Sequence, residues 1–263
     1  MHINATVGRD SRNEQADAKL VQAALNLVKS DKFALEPKLT VDGKIGKGTI
    51  AAIDQFQANV VGMQEPDGII SPNGGTIRVL KSNITVGLSA DAFAAIMAYG
   101  SKAVLDQYFP LLQTLLPQYE INTPLRIAHF LAQVGHESLS LKFTEELASG
   151  EDYEGRKDLG NTEAGDGKRF KGRGFIQLTG RSNYKAYSDD AGLKLLDKGN
   201  EVLVAKVPTH ALGVSLWFWQ RNNLNRLADK DDLRAVTKRI NGGYNGLADR
   251  EKYLQRAKFF LVQ

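Results

Sequence analysis

The apolar residues recur mainly at helical spacing, and the clearest example follows Thr123-Pro124. A threonine can accept hydrogen bonds from the free N–H groups of a first helical turn, and proline lacks the N–H group that would stay unpaired there. The positions i, i+3, i+4 and i+7 are then occupied by Ile127, Phe130, Leu131 and Val134. This pattern predicts a helix that begins at Thr123-Pro124 and buries one face.

A carboxylate lies at the edge of this apolar face. At about 100° per residue, Glu137 lies roughly 20° from Phe130, whereas His129 and His136 point to the opposite side. Partial desolvation favours the protonated form of a carboxyl group, which a general acid requires. Glu137 is therefore a candidate general acid, and an ordinary boundary glutamate is the alternative.

A second carboxylate, Glu146, follows nine residues later. One continuous helix would carry it roughly 13 Å along the axis and turn it to the opposite face. However, residues 138–140 form helix poorly and 148–150 predict a turn, so the chain can leave the helix after Glu137 and return Glu146 across a cleft. Two carboxyl groups that face each other across a groove are typical of glycoside hydrolysis.

A short β strand is predicted over Phe175–Thr179, after two glycines that permit close backbone approach, Gly172 and Gly174. Alternation would send Phe175, Gln177 and Thr179 to one side of this strand. Gln177 and Thr179 would then share a face with the groove. An ordinary β-branched strand residue is the alternative for Thr179.

Towards the C-terminus, a helix is predicted from Thr209 to Asn222, and its tryptophans, Trp217 and Trp219, are expected in the core because each buries a large area. Asp231 is predicted to cap a further helix that ends at Asn241, before two glycines.

The first 82 residues are predicted to form a separate three-helix unit. Asp17 is predicted to cap its first helix, and two similar Asp-Gly turns, at 42–43 and 67–68, each lead into another helix. A linker is expected over 83–89, followed by a second domain over 90–263. The alternative for the first unit is a generic helical bundle whose turns only connect helices.

Composition narrows the class of protein. With 42 % hydrophobic and 24 % charged residues, the 263-residue chain is predicted to be soluble and globular. No apolar run approaches the ~18 residues of a membrane span. The absence of cysteine excludes disulfides and cysteine ligands, and the four histidines have no metal-ligand spacing. We therefore expect no cofactor, no metal and no stable membrane insertion.

The net charge of +4 is unevenly distributed, because residues 155–185 hold eight Lys or Arg against three acidic residues. Such a stretch can be a solvated surface or can attract an anionic polymer such as a cell wall. Nucleic acid is disfavoured as a partner, since the stretch has neither a recognition helix nor interleaved stacking aromatics.

Six short motifs occur in the order found in glycoside hydrolase family 19, the chitinase-like family. They are His136-Glu137-Ser138, Tyr153-Glu154-Gly155-Arg156, Leu159-Gly160-Asn161, Gly165-Asp166-Gly167, Phe170-Lys171-Gly172-Arg173-Gly174, and Ile176-Gln177-Leu178-Thr179-Gly180 with Asn183-Tyr184. Residues 90–263 resemble this family, and most closely its compact bacterial and bacteriophage endolysins. The resemblance implies a mainly α (α+β, lysozyme-like) fold with a short β element.

The same resemblance implies site residues. Glu137 would be the general acid, Glu146 the general base, and Thr179 would position water in an inverting mechanism with carboxyl groups ~6.5–9.5 Å apart. Plant chitinases place the second glutamate further along the chain, so Glu145 stays a rival to Glu146. The implied substrate contacts are His136, Tyr153, Arg156, Gln177, Asn183, Tyr184, Asn241 and Arg250.

The first unit resembles the peptidoglycan-binding domain common at the termini of wall hydrolases. Together the two resemblances imply a monomeric endolysin that hydrolyses β-1,4 glycosidic bonds of bacterial peptidoglycan and contacts glycan strands and stem peptides. Because Met1-His2-Ile3-Asn4 opens no secretory signal pattern, we expect synthesis in the host cytoplasm and release to the periplasmic wall. A secreted bacterial effector fits as well.

Three alternative functions remain open from the sequence. A chitinase would use the same residues on an N-acetylglucosamine polymer. A lytic transglycosylase needs one acid/base glutamate, and a non-catalytic wall-binding protein needs none. The bond that is cleaved, next to the muramic acid or next to the glucosamine, also stays open.

Overall fold

The computed structural model describes residues 3–263, and these are mainly helical. Two short strands, β1 (Val7–Gly8) and β2 (Ile69–Ile70), pair antiparallel, with Val7 opposite Ile70. Within this part of the chain, no helix is long and apolar enough to cross a membrane. The helices are α1 (Gln15–Asn26), α2 (Lys47–Phe56), α3 (Gly75–Asn83), α4 (Ala90–Ile96), α5 (Lys102–Leu115), α6 (Pro124–Glu137), α7 (Asp166–Arg169), α8 (Arg181–Ala191), α9 (Leu203–Lys206), α10 (Pro208–Arg221), α11 (Leu224–Ala228), α12 (Leu233–Asn241) and α13 (Leu247–Leu261).

The two Asp-Gly turns of the N-terminal unit are each held by a buried glutamine in the same way. The Gln22 amide donates to Asp42 (3.0 Å) and accepts from the backbone N–H of the next glycine (2.8 Å). The Gln57 amide donates to Asp67 (2.6 Å) and likewise accepts from the following glycine (2.9 Å). Each glutamine satisfies several polar groups that the fold removes from water. The two turns are therefore alike both in sequence and in the hydrogen bonds that a glutamine forms with their Asp and Gly.

The first helix begins differently from the prediction. Glu14 occupies the N-cap position without a side-chain hydrogen bond, and Asp17 lies buried in the first turn. Its carboxylate accepts from the backbone N–H groups of Asn4 (2.9 Å) and Ala5 (2.8 Å). Asp17 therefore fixes the segment before β1 instead of capping α1, because it lies inside the first turn and its carboxylate is taken by the Asn4 and Ala5 N–H groups.

The segments on either side of 83–89 pack together. Helix α1 lies against α4, and the hydrophobic core runs through both. The Asn26 amide donates to Asp91 (3.2 Å), and the Gly87 N–H donates to the Phe260 carbonyl (2.9 Å). The domain boundary stays a prediction, and the structure adds that the two segments share one core.

Helix α6 begins and ends where the sequence predicts. The Thr123 hydroxyl accepts from the Arg126 N–H (3.3 Å), and the helix ends at Glu137. The outward orientation expected for His129 is wrong, because its side chain is fully buried with Nε2 2.8 Å from Asp231. Helices α11, α12 and α13 also pack against α6, so this helix is buried on more than one face.

The cap of α12 is displaced by one residue from the prediction. Asp232, not Asp231, accepts from the Ala235 N–H (2.9 Å) and occupies the N-cap. Asp231 has a positive φ and binds His129 and Lys258. A long-range pairing thus removes Asp231 from the capping role that local sequence assigns to it.

Helix α10 confirms the core position of both tryptophans. Trp219 is fully buried and donates to Asn225 (2.8 Å), and Trp217 is 9 % exposed and donates to Asp190 (2.7 Å). Both indole N–H groups are satisfied by side chains, as buried tryptophans require.

Stability is expected to depend on the protonation of His129. Burial lowers the pKa of His129 from 6.5 despite the opposing contact with Asp231, and Nδ1 is buried without a partner. The unfolded chain therefore binds a proton below about pH 6.5 that the folded protein resists, so stability falls as pH decreases through that value. His129→Gln should flatten the pH dependence of urea unfolding between pH 7.5 and 5.5. An unchanged slope would contradict this assignment.

Candidate active site

Glu137 is held at the end of α6 by a buried arginine. Arg250 of α13 is fully buried, and its Nη2 lies 2.5 Å from Glu137 Oε1. The same guanidinium contacts Gln133 and the Asn245 carbonyl (3.4 Å). Glu137 itself is 18 % exposed at its side chain, and Oε2 has no hydrogen-bond partner among residues 3–263. Oε2 is therefore the atom that remains available for proton transfer.

These contacts change the role expected for Arg250. A side chain with no exposed surface cannot touch a substrate in this conformation, so Arg250 acts through Glu137. Sequence reasoning missed Gln133, which is buried and also binds Thr237 (3.4 Å). Its position four residues before Glu137 places both side chains on one face of the helix, and that spacing could have indicated it.

The chain reverses immediately after Glu137. Leu139, Ser140 and Leu141 all have positive φ values, of 49°, 58° and 68°. The Ser138 hydroxyl donates to the Val134 carbonyl (2.6 Å) and accepts from the Leu141 N–H (2.8 Å). The predicted departure from the helix is confirmed, and the buried Ser138 hydroxyl supplies two of its hydrogen bonds.

The reversed chain brings two adjacent glutamates beside the glycine-rich loop. The Glu146 N–H donates to the Gly172 carbonyl (2.9 Å), and the Gly174 N–H donates to the Thr144 carbonyl (2.8 Å). Neighbouring residues of such an extended segment point to opposite sides. Glu145 and Glu146 therefore have different surroundings.

Glu145 is paired with cations. Its Oε1 lies 2.9 Å from Arg173 Nε and 3.5 Å from Lys171 Nζ, and Arg173 is almost fully buried. A buried guanidinium needs a carboxylate partner, since an unpaired charge in the interior is costly. This contact favours a structural role for Glu145.

Glu146 is held by neutral donors. Its Oε1 accepts from the Tyr153 hydroxyl (3.1 Å), and Oε2 accepts from the Gly172 N–H (3.0 Å). Burial, together with the contact to Glu146, raises the pKa of Tyr153, so the phenol stays a donor. Among the described residues no cation pairs with Glu146, and this favours Glu146 over Glu145 as the reactive carboxylate.

Three polar side chains surround the position that a side chain at Gly172 would occupy. A methyl group at Gly172 would lie 2.6 Å from Gln177 Oε1, 3.0 Å from Glu146 Oε2 and 3.3 Å from Thr179 Oγ1. The Gln177 amide donates to the Gly174 carbonyl (2.9 Å), which fixes its direction. The structure thus brings together the predicted residues Glu146, Gln177 and Thr179, with Tyr153 beside them.

The β strand predicted over Phe175–Thr179 is wrong, because most of this segment is a turn. Residues 174–177 form a tight turn between Arg173 and Leu178, with positive φ at Gly174 (75°) and Gln177 (58°). Phe175 is buried and its ring packs against Tyr108 with centroids 4.8 Å apart. Gln177 and Thr179 still converge, but through a turn and not through strand alternation.

The structure also corrects the substrate contact predicted for Tyr184. Its side chain is fully buried, its hydroxyl donates to the Lys171 carbonyl (2.8 Å), and it accepts from Arg173 (3.1 Å). Tyr184 therefore supports the glycine-rich loop from beneath. The neighbouring Asn183 is exposed in the first turn of α8, and its amide donates to the Thr179 carbonyl (2.8 Å).

Two of the remaining predicted contacts, His136 and Arg156, are held by other partners. His136 Nδ1 is 2.7 Å from Asp249, and a side chain at Gly246 would collide with the imidazole. Arg156 pairs with Asp158 (2.8 Å), and Asn241 lies at the exposed end of α12. No hydrogen bond in residues 3–263 joins Arg156 or Asn241 to either carboxylate.

The basic stretch over 155–185 is largely neutralised within the protein. Seven of its eight cations form ion pairs, and they are Arg156, Lys168, Arg169, Lys171, Arg173, Arg181 and Lys185. This pairing supports the interpretation as an ion-paired, solvated surface more than as a free anion-binding patch.

This chain is similar to known proteins over part of its length. Residues 123–231 match the family model of glycoside hydrolase family 19, chitinase class I. A glycosyl hydrolase family 19 domain-containing protein of Haemophilus influenzae is 34 % identical over 110 residues, which are 41 % of this chain and 50 % of that protein. An endochitinase of Arabidopsis thaliana is 40 % identical over 119 residues, which are 44 % of this chain and 39 % of that protein. The chain thus spans half or less of these curated relatives.

Among solved structures, chitinase C from Streptomyces griseus is similar, with a TM-score of 0.53 and 25 % identity. The alignment covers 68 % of this chain and 79 % of that chain. Together with the helical content, this similarity confirms the predicted fold class.

Gly172→Ala tests the convergence on Gly172. Its added methyl group would displace the flexible ends of Gln177 and Glu146, so we expect activity on glycan to fall roughly 10- to 100-fold with little change in thermal stability. The matched control is Gly48→Ala in α2, where a methyl group meets open space. Equal activity of the two variants would show that the face of Gly172 is not part of the site.

Leu139→Gly tests the strain in the reversed turn. A residue other than glycine with a positive φ strains the backbone by roughly 1–2 kcal/mol. Because the Leu139 side chain is 42 % exposed, its removal loses little packing. Glycine should therefore raise the free energy of unfolding by about 0.5–1 kcal/mol. The control is Leu147→Gly, at a residue that is 86 % exposed and has no positive φ, and it should not stabilise. Urea unfolding measures both, and destabilisation by Leu139→Gly would contradict the prediction.

Proposed function

Because the chain carries a glycoside hydrolase family 19 domain, we propose that it is a glycoside hydrolase that cleaves β-1,4 glycosidic bonds of bacterial peptidoglycan. The observation that carries this proposal is that the three glutamates have different binding partners. Glu137 is oriented by a buried arginine, Glu146 is held by neutral donors beside Thr179, and Glu145 is paired with cations.

The geometry assigns one task to each group. Glu137 Oε2 would donate a proton to the leaving glycosidic oxygen. Glu146 Oε2, at the face of Gly172, would take a proton from a water molecule, which then attacks the anomeric carbon from the opposite side of the sugar. The Thr179 hydroxyl and the Gln177 amide would hold that water. This is an inverting mechanism, for which we expect carboxyl groups ~6.5–9.5 Å apart.

The N-terminal unit supports peptidoglycan as the polymer. The sequence of its two Asp-Gly turns resembles that of peptidoglycan-binding domains, and its core is continuous with that of the second segment. A monomer made in a host cytoplasm and released to the wall would suit this combination. The second candidate is chitin, since a relative that matches 44 % of the chain is named an endochitinase.

The proposal is tested with Glu137→Gln and Glu146→Gln, and with Glu145→Gln as the matched control. Reducing ends released from purified Gram-negative peptidoglycan and from colloidal chitin are measured, and the products are identified by mass spectrometry. Removal of an acid or base is expected to lower the rate at least about 100-fold. Glu145→Gln should keep most of the activity per folded molecule, although it should lower stability because Arg173 loses its partner.

Each result discriminates among the functions. Hydrated reducing ends from wall, lost in both acid and base variants, support the proposal and identify the cleaved bond. Activity on chitin alone favours a chitinase, and 1,6-anhydro ends from an active Glu146→Gln variant favour a lytic transglycosylase. Inactivity of the wild type on both polymers would leave a wall-binding protein.

A further inference from the structure

A group of exposed cations follows the chain through α11 and α12, outside the basic stretch over 155–185. Within residues 3–263, their side chains form neither an ion pair nor a hydrogen bond, in contrast to the cations of that stretch. They are Arg226, Lys230, Arg234, Lys238 and Arg239. The positive charge that the protein offers to a partner here is therefore not the one that the sequence pattern indicates.

The acidic residues of the same segment are occupied by other groups. Asp229 accepts from both Nε and Nη2 of Arg126 (2.7 Å each). Asp231 binds one residue of α6 and one of α13, and Asp232 accepts from the backbone at the start of α12 (2.9 Å). The carboxylates of residues 226–239 thus hold the fold together and leave the neighbouring cations without counter-charges.

Two cations of α12 repeat the same charge after one helical turn. Arg234 and Lys238 are four residues apart, and like charges at this spacing destabilise a helix. Elsewhere in the chain the same spacing carries an ion pair, as between Lys102 and Asp106 of α5 (2.6 Å), and α8 holds a second such pair. A repeated charge that weakens its own helix indicates a surface that serves binding more than stability.

Arg234 is held in place by an aromatic ring. Its guanidinium carbon lies 4.3 Å from the ring centroid of Tyr244, and this tyrosine is 44 % exposed. A stacked guanidinium keeps the N–H groups of its edge, which match the two oxygens of a carboxylate. Glu251 of α13 lines the same open depression as Arg234 but forms no ion pair within residues 3–263. We call Arg234, Lys238 and Tyr244 the α12 surface.

The helix that carries this surface adjoins the groups that hold Glu137. Thr237 of α12 accepts from the Gln133 amide (3.4 Å). Gln133 and the Asn245 carbonyl, in the loop after α12, both contact Arg250, which is the partner of Glu137. A polymer that extends several units away from Glu137 therefore has the α12 surface among its neighbours.

We propose that the α12 surface binds carboxylate groups along a glycan strand whose cleaved bond lies at Glu137. The Arg234 guanidinium would bind one carboxylate through two hydrogen bonds, and the Lys238 ammonium would attract a second. The protein then prefers an anionic β-1,4 glycan to a neutral one with the same backbone. Only hydrolysis at Glu137 rests on the proposed function, because the preference for charge is a property of binding.

The test compares two soluble polymers with one backbone, anionic carboxymethyl chitin and neutral glycol chitin. Binding is measured by affinity electrophoresis with the Glu146→Gln variant, so that no turnover occurs. At about 50 mM salt, carboxymethyl chitin should bind at least about tenfold more tightly than glycol chitin. At about 500 mM salt this preference should shrink, because exposed charges are then screened.

A matched pair of double variants, made in the same Glu146→Gln protein, locates the preference. Arg234→Gln with Lys238→Gln should reduce it to less than about threefold, because both charges are lost. The control is Lys194→Gln with Lys198→Gln, which removes two exposed cations at the same spacing and gives the same net charge. The control should keep the preference, since the position of the charge and not the net charge is responsible.

A second readout separates the binding of charge from a structural role. In the protein with Glu146 intact, the ratio of kcat/KM on carboxymethyl chitin to that on glycol chitin should fall about tenfold in the α12 double variant, through KM. A structural defect would lower both rates by the same factor and leave the ratio unchanged.

The outcomes distinguish this inference from the proposed function. Equal binding of the two polymers, an unchanged preference in the α12 double variant, or an equal loss of preference in the control would overturn the inference. Preferential binding of carboxymethyl chitin with no hydrolysis of either polymer would support the α12 surface and contradict the glycosidase proposal.

Discussion

The contact between Arg250 and Glu137 is the constraint on which the rest of the structure depends. Removing a guanidinium from water costs several kcal/mol, and here Glu137, Gln133 and the Asn245 carbonyl offset that cost. The pairing holds α13 along α6 and fixes the direction of the carboxylate. Because the far end of α13 also binds the segment after α3 through the Gly87 N–H, the position of Glu137 depends on both parts of the chain.

Around the glycine-rich loop, two adjacent glutamates are separated by their partners. Arg173 takes Glu145 as its partner and also donates to Tyr184, so the glycine-rich loop is anchored beneath its surface. The Glu146 side chain is instead held by neutral donors, the Tyr153 hydroxyl and the Gly172 N–H, and it forms no ion pair within residues 3–263. The adjacent glutamates thus differ because the backbone is extended at this point and sends them to opposite sides.

The N-terminal unit is fixed by two buried glutamines. Gln22 donates to Asp42 and to the Lys44 carbonyl, and Gln57 donates to Asp67 and to the Ile69 carbonyl. Each Asp-Gly turn is therefore held by hydrogen bonds to a side chain outside the turn, and these bonds satisfy polar groups that packing removes from water.

The sequence by itself determined the features that depend on neighbouring residues. Thr123 caps its helix, α6 ends at Glu137, and Gly174 adopts a positive φ, because caps, periodicity and glycine freedom act over a few residues. Local motifs also predict a carboxylate site between residues 137 and 179, and this site stays a prediction.

Tertiary structure decided which groups meet. His129 was buried by Asp231, 102 residues away, and Glu137 was oriented by Arg250, 113 residues away. The preference for Glu146 over Glu145 and the burial of Tyr184 likewise follow from contacts with Arg173. No local pattern encodes such partners, because burial and charge pairing depend on which distant elements pack around a residue.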